Sequence, residues 1–240
     1  MSSLLSLRHV SKSYWRGPNE TVVLADISLD VHRGEVIAIW GQRGSGKTTL
    51  ATIAAGIDAP DGGTVLFEGR DLNESRSGLT HALREGIGWL ERMGDDLPIV
   101  DYVALPLFGK HSPRYARRYA VAALARVGIA ECANERWETL SDGERTLVAI
   151  AHALVRSPRI LIADTPTANL DLFQREELMA LLRSAADEDH LGVLITVPDM
   201  PEAIHADQIG SLSDGKLLLV RDRGEPGTNV VDFPASKRSA

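Results

Sequence analysis

With 240 residues, 44% hydrophobic and 25% charged, the chain is long and apolar enough to bury a full core as one compact domain, which excludes intrinsic disorder and fibrous repeats. No apolar run approaches the ~20 residues that span a bilayer, and the opening MSSLLSLRHV lacks the apolar stretch of a signal peptide, so a cytosolic chain is expected unless a partner holds it at a membrane. A net charge of −7 with both signs interspersed argues against nucleic acid as the main partner, and the single Cys132 allows neither an internal disulfide nor a Cys-rich metal site.

Two short segments of strand character, 4–10 and 27–31, flank a turn signal at Gly17-Pro18-Asn19 and predict an antiparallel β edge. The apolar run 36–40 is followed by a Gly-rich loop and a helix-compatible stretch ending at Gly56, the order of a buried parallel strand, a loop and a helix. Short strands are expected at 63–69 and 87–90. The segment SPRYARRYAVAALARV at 112–127 has apolar residues at helical spacing and predicts an amphipathic helix within a helical insert at about 81–135. A helix over 144–156 stops at Ser157-Pro158, and the apolar run 160–163 reads as a second buried strand. A helix at 173–186 and a strand at 193–197 repeat the alternation, so a mostly parallel α/β sheet covered on both faces is expected. Residues 1–221 are read as one domain and 222–240, mixing Gly, Pro, Asn and charge, as a loose tail.

Gly41-Gln42-Arg43-Gly44-Ser45-Gly46-Lys47-Thr48 matches the phosphate-loop pattern in full, directly after a buried strand and opening a helix; Thr49 continues that helix. Glycines let successive backbone N–H groups turn toward phosphate oxygens. Lys47 supplies a cation for the β and γ phosphates, and the Thr48 hydroxyl is suited to Mg²⁺. An ordinary Gly-rich turn explains neither the Lys-Thr pair nor its setting. The carboxylate such a site requires should end a buried strand, as Asp164 does after 160–163.

Over residues 4–220 these features resemble the ATP-binding subunit of an ABC transporter. Leu140-Ser141-Asp142-Gly143-Glu144 is similar to the family signature, Tyr14 in VSKSYW to the aromatic that stacks on adenine, and Asn169-Leu170-Asp171 to the loop that touches the other subunit. Val103-Ala104-Leu105-Pro106-Leu107 is similar to the lipoprotein-release and macrolide-efflux branch. The resemblance implies an ABC-type P-loop NTPase fold with an antiparallel β subdomain and a helical insert. It also implies binding of ATP and Mg²⁺, and a second nucleotide-binding subunit that receives Ser141, Asp142, Gly143, Glu144 and Asp171 at its own nucleotide. A membrane permease would hold the chain at the inner face of the cell membrane. A regulator of a non-transporting, cell-division-like complex and a soluble non-transport ABC protein are the alternatives; a single domain without a coiled-coil insert or Cys pairs for zinc counts against the second. If Tyr14 acts only through its ring face, phenylalanine should serve there nearly as well.

Several positions depart from the pattern. Where the family has a general-base Glu after the strand-ending Asp, this chain has Thr165; where it has a His that contacts the γ-phosphate, Pro198 stands; and Glu91 or Arg92 falls at the Gln that links nucleotide to permease. Thr accepts no proton near neutral pH, and Pro offers neither ring nitrogen nor N–H. The lost contacts cost roughly 10²–10⁴ and roughly 10²–10³ in rate, with effects that are not additive. In the signature, Asp142 and Glu144 stand where Gly and Gln are usual. Ser141 and Glu144 also spell a capping box, yet one carboxylate ~6 Å from a phosphate at an effective dielectric of ~20 costs roughly 3 kcal/mol. These side chains must turn outward, meet a cation, or weaken the opposite site. Arg43 suits phosphate, partner or solvent equally. His152 and His205 are expected on surface helices, Trp40 and Trp89 in packing, and Arg114, Arg117 and Arg118 on a solvated helix face.

Overall fold

A computed structural model describes residues 3–72, 86–90, 96–168, 170–200 and 205–222. Glu91, Arg92, Asn169 and the tail beyond 222 lie outside them.

The central sheet is built on four apolar runs whose side chains alternate between two cores. It contains β3 (Val36–Trp40), β6 (Ile87–Trp89), β7 (Ile160–Ala163) and β8 (Gly192–Val197), with a closing hairpin of β9 (Gln208–Ser213) and β10 (Lys216–Asp222). Its order is β10-β9-β3-β8-β7-β6, parallel except for the β9/β10 pair. On β3, Val36 and Ala38 face one core, and Ile37 and Ile39 the other. β7 and β8 divide in the same way: Leu161, Ala163, Val193 and Ile195 point to the first core, and Ile160, Ile162 and Leu194 to the second. Each fully buried Leu or Ile contributes roughly 1.5–3 kcal/mol.

The first core is covered by α2 (Ile99–Ala104), α3 (Pro113–Arg126), α4 (Asp142–Leu154) and α5 (Leu172–Asp189). The second packs α1 (Lys47–Ala54) and a separate antiparallel sheet, in the order β2-β1-β4-β5, against the other face. That sheet comprises β1 (Leu5–Arg16), β2 (Asn19–Val31), β4 (Gly62–Phe67) and β5 (Arg70–Asp71). A bond from the Ala25 N–H to the Gly215 carbonyl, 2.7 Å, ties it to the β9/β10 hairpin.

The expected α/β class, mostly parallel sheet and antiparallel part are present, and the described residues of 81–135 hold β6, α2 and α3, with differences that have local causes. β1 and β2 are much longer than the runs 4–10 and 27–31, because register shifts between Leu7 and Ser13 break the apolar alternation of β1 while pairing continues to a two-residue turn at Gly17-Pro18. Gly17 takes the positive φ of 61° that this turn demands. The β9/β10 hairpin was not expected. Its signal was Asp214-Gly215, with φ values of 49° and 72°. His152 is a correction: it is half-buried on α4, with its ring stacked 4.8 Å from that of Tyr102 on α2. Burial, helped by nearby Arg156, pushes its pKa down to about 4. His205 is corrected too, lying half-buried in a turn rather than on a surface helix. Trp40 and Trp89 are half-buried and pack on the cores. Arg114, Arg117 and Arg118 are exposed, although Arg117 also pairs with Asp101 at 2.5 Å.

Candidate nucleotide-binding site

Parallel pairing aligns Trp40 with Val197 and Ala163 with Ile195, so the carboxyl ends of β3, β7 and β8 lie side by side. The segments leaving these strands meet there: the phosphate loop after β3, Asp164 and Thr165 after β7, and Pro198 after β8. A crevice at such strand ends is where open α/β sheets bind ligands. Here it is a cleft of about 740 Å³. Tyr14 and Val23 line one side, Thr165, Ala168 and Pro198 another, and the loop from Gly41, Arg43 and Gly44 through Gly46, Lys47, Thr48 and Thr49 forms the floor. Gln42 and Ser45 line a neighbouring hollow with Ser211 and Ser213, on the β9 side.

The loop opens α1 with Gly46 at φ 100°, and a Cβ there would lie 2.8 Å from the Val23 side chain and 2.9 Å from its carbonyl, so only glycine fits. No side chain caps α1 and no acidic residue stands in its first turn. Its N–H groups and partial positive charge are therefore directed to an outside anion. Lys47 donates across the loop to the carbonyls of Gly41, 2.6 Å, and Gln42, 3.0 Å. Burial lowers its pKa against the opposing pull of Asp164. The Thr48 hydroxyl donates to Asp164 Oδ2 at 2.6 Å, so two hard oxygen donors of the kind Mg²⁺ selects are held together.

Thr196 is the residue that sequence reading missed. Its hydroxyl donates to Asp164 Oδ1 at 2.5 Å and accepts from the Thr165 N–H at 2.9 Å. The available signal was a lone hydroxyl inside an otherwise apolar, fully buried strand. Thr165 has φ 44°, a left-handed conformation that β-branched residues rarely adopt. Tyr14 is 44% exposed at the mouth of the cleft. Its hydroxyl donates to Asp58 Oδ2 at 3.1 Å, and Lys12 Nζ sits 5.6 Å from its ring centroid, so the phenol is engaged as well as the ring.

The signature segment lies elsewhere. Ser141, Gly143 and Glu144 line a second cleft of about 500 Å³ beside Leu170 and Gln174 of the α5 region, so one chain does not bring them to its own phosphate loop. Ser141 caps α4 by accepting from the Glu144 N–H at 3.3 Å. Glu144 curls back, its Oε2 accepting from the Ser141 N–H and from the Ser141 hydroxyl, both at 2.7 Å. Those bonds lower the Glu144 pKa and keep it charged. Its Oε1 lies 3.6 Å from Cys132 Sγ, and burial beside that carboxylate raises the thiol to about 11. Asp142 turns to Arg145, 3.2 Å away. Asp171 caps α5, accepting from the Gln174 N–H at 2.9 Å while the Gln174 side chain accepts from the Asp171 N–H at 3.2 Å.

Residues 24–168, more than half of the chain, match the ABC transporter family. The lipoprotein-releasing system ATP-binding protein LolD of Pseudomonas syringae pv. tomato is 35% identical over 90% of this chain and 97% of its own length. The ABC transporter ATP-binding protein YxdL of Bacillus subtilis is 33% identical over 94% of this chain and 89% of its own. Among solved structures, a bacterial ABC transporter cassette in dimeric form superposes with a TM-score of 0.82 at 31% identity, covering 88% of this chain and 95% of that one. A post-hydrolysis cassette bound to ADP and phosphate gives 0.81 at 30% identity, covering 90% and 99%. Phosphate loop, strand-ending aspartate and signature helix thus occur together on the family's own fold, and this chain belongs to the ABC transporter family as an ATP-binding domain.

Proposed function

We propose that the chain binds MgATP in the 740 Å³ cleft, dimerises across the nucleotide with a second nucleotide-binding subunit and drives a separate membrane permease, while its own site hydrolyses slowly. The cleft supplies ring, loop, lysine, hydroxyl and carboxylate for binding. Thr48 and Asp164 would hold a magnesium ion, which would supply neutralising charge at the phosphates. The relatives' names favour a permease of the lipoprotein-releasing kind, and the dimeric cassette supports association across ATP.

The observation that carries slow hydrolysis is the lining itself. Thr165 and Pro198 share the cleft with Lys47 and Thr48, and none of the described lining residues is a carboxylate or an imidazole. Both oxygens of neighbouring Asp164 already accept hydrogen bonds. Proton transfer from an attacking water therefore has no positioned acceptor, a deficit of roughly 10²–10⁴ in rate. Purified chain should bind MgATP by calorimetry yet turn it over far below the same chain carrying Thr165→Glu with Pro198→His, which is expected to gain at least about tenfold. Equal turnover of the two, at a fast rate, overturns the slow-site reading.

A further inference from the structure

We infer that Thr196 is a positioning residue of the magnesium site, acting through Asp164; the inference rests on the MgATP reading above. Thr196 lies on β8 between β3 and β7, opposite Ile39 on β3 and one residue beyond the pairing of Ile195 with Ala163. That register puts its hydroxyl level with the first residue after β7, which is Asp164. The strand alternates, so Thr196 shares the face of Leu194, the side covered by α1, whose first turn carries Thr48.

The side chain is 1% exposed, and its hydrogen-bonding capacity goes to the site. Its hydroxyl donates to Asp164 Oδ1, while Thr48 donates to Oδ2. A carboxylate held at one oxygen can still swing about its broad, two-fold χ2 torsion. Held at both, it is fixed in plane and direction, which is what a ligand for a cation with strict octahedral demands requires. The Thr196 hydroxyl oxygen also accepts the N–H of Thr165, so the strained peptide after Asp164 is held by the group that holds the carboxylate. Thr48, Asp164, Thr196 and the Thr165 peptide form one hydrogen-bonded chain across the ends of α1, β7 and β8. A buried threonine without a site role needs one acceptor to be satisfied; this one joins the Asp164 carboxylate to the peptide of Thr165, which lines the nucleotide cleft.

Thr196→Val keeps shape and volume and removes both bonds; Thr196→Ser keeps the hydroxyl. The measurement is ATP affinity by calorimetry with excess Mg²⁺ and again with EDTA, which isolates the gain due to the metal. In Thr196→Val that gain is expected to fall about 10- to 100-fold, the usual effect of losing a group that orients a metal ligand, with affinity in EDTA unchanged and Thr196→Ser close to the original chain. A general loosening of the fold would lower both affinities together and spare the metal gain, and that result overturns the inference. An undiminished gain in Thr196→Val overturns it as well. If Thr196→Val does not fold, Thr196→Ser alone decides through the Mn²⁺ electron paramagnetic resonance of its nucleotide complex: a spectrum matching the original chain supports the inference, and loss of bound Mn²⁺ with the hydroxyl retained sinks it. Absence of any Mg²⁺-dependent gain in the original chain would count against the MgATP reading instead.

Discussion

Two helix N-termini in this molecule meet opposite fates. α1 begins at Gly46 with no capping side chain and no acid in its first turn. α4 begins at Ser141 with a complete capping box and both Asp142 and Glu144 in its first turn. The macrodipole and the unpaired N–H groups are the same in kind at both ends. At α1 they are offered outward beside Lys47; at α4 the Glu144 N–H goes to the Ser141 hydroxyl, and the Glu144 carboxylate curls back to accept from the Ser141 N–H and hydroxyl. A backbone anion site is thus opened or closed by the residues that flank it. The sequence left three outcomes for the two signature acids. Asp142 meets Arg145, and Glu144 turns inward onto Ser141.

Removing the cation from the open end has the largest expected effect. A lysine–phosphate pair at about 4 Å and an effective dielectric of ~20 contributes about 4 kcal/mol, so Lys47→Ala should weaken ATP roughly a thousandfold by calorimetry. Retained affinity would mean that the N–H groups of α1 suffice without it.

The far end of the closed helix is held by His152 against Tyr102, and it is sensitive to pH. The folded pKa of about 4 lies below the ordinary 6.5, so the unfolded chain binds the proton first as pH falls. Stability is then full above pH 6.5 and drops as pH goes from 6.5 toward 4, by up to about 3 kcal/mol. Denaturant unfolding across that window should show the slope, and His152→Phe should remove it. An identical slope in that variant would place the titration elsewhere.

Opening the closed end is the sharper test of the comparison. Glu144→Gln can still complete the capping box but carries no charge, so α4 should keep its stability. Against a second nucleotide-binding subunit, the ATP concentration that drives association, tracked by light scattering, is expected to drop about tenfold, since even half of a ~3 kcal/mol repulsion exceeds that factor. No change would show that Ser141 is not an anion-binding group in this chain.

The smallest effect concerns the base platform at the open end. Because the Tyr14 hydroxyl donates to Asp58, Tyr14→Phe is no longer expected to be silent. Losing one exposed hydrogen bond of about 0.5–1 kcal/mol should weaken ATP about two- to fivefold. Tyr14→Ala should cost about 1–3 kcal/mol through the lost stack. Equal losses in both variants would mean that the hydroxyl, and not the ring, makes the contact.

Much of this was legible in the chain. The four apolar runs of the parallel sheet, the phosphate loop and Asp164 were read directly, as was the presence of Thr165 and Pro198 where the resemblance implies Glu and His, because each is a local pattern: a run of buried residues, a glycine spacing, a residue type at a known offset. Capping at Ser141 was also local, with both partners three residues apart. By contrast, β1 ran on past its own alternation because bulges hid the period, and the β9/β10 hairpin passed unseen although Asp214-Gly215 announced it. His152 looked like a surface residue because the ring stacked on it, Tyr102, comes from a second helix.

What the sequence determined by itself is the chemistry available: an anion-binding loop, one carboxylate at a strand end, and no base or imidazole behind it. What tertiary structure alone decided is which groups meet. Thr196 becomes a partner of Asp164 only because β8 lies beside β7 in a register that sets residue 196 level with residue 164. Tyr14 reaches Asp58 only because β1 folds over the segment after α1. Such contacts join residues 32 and 44 positions apart. No local spacing encodes them; strand order and register do, through the burial of two cores on opposite faces of one sheet.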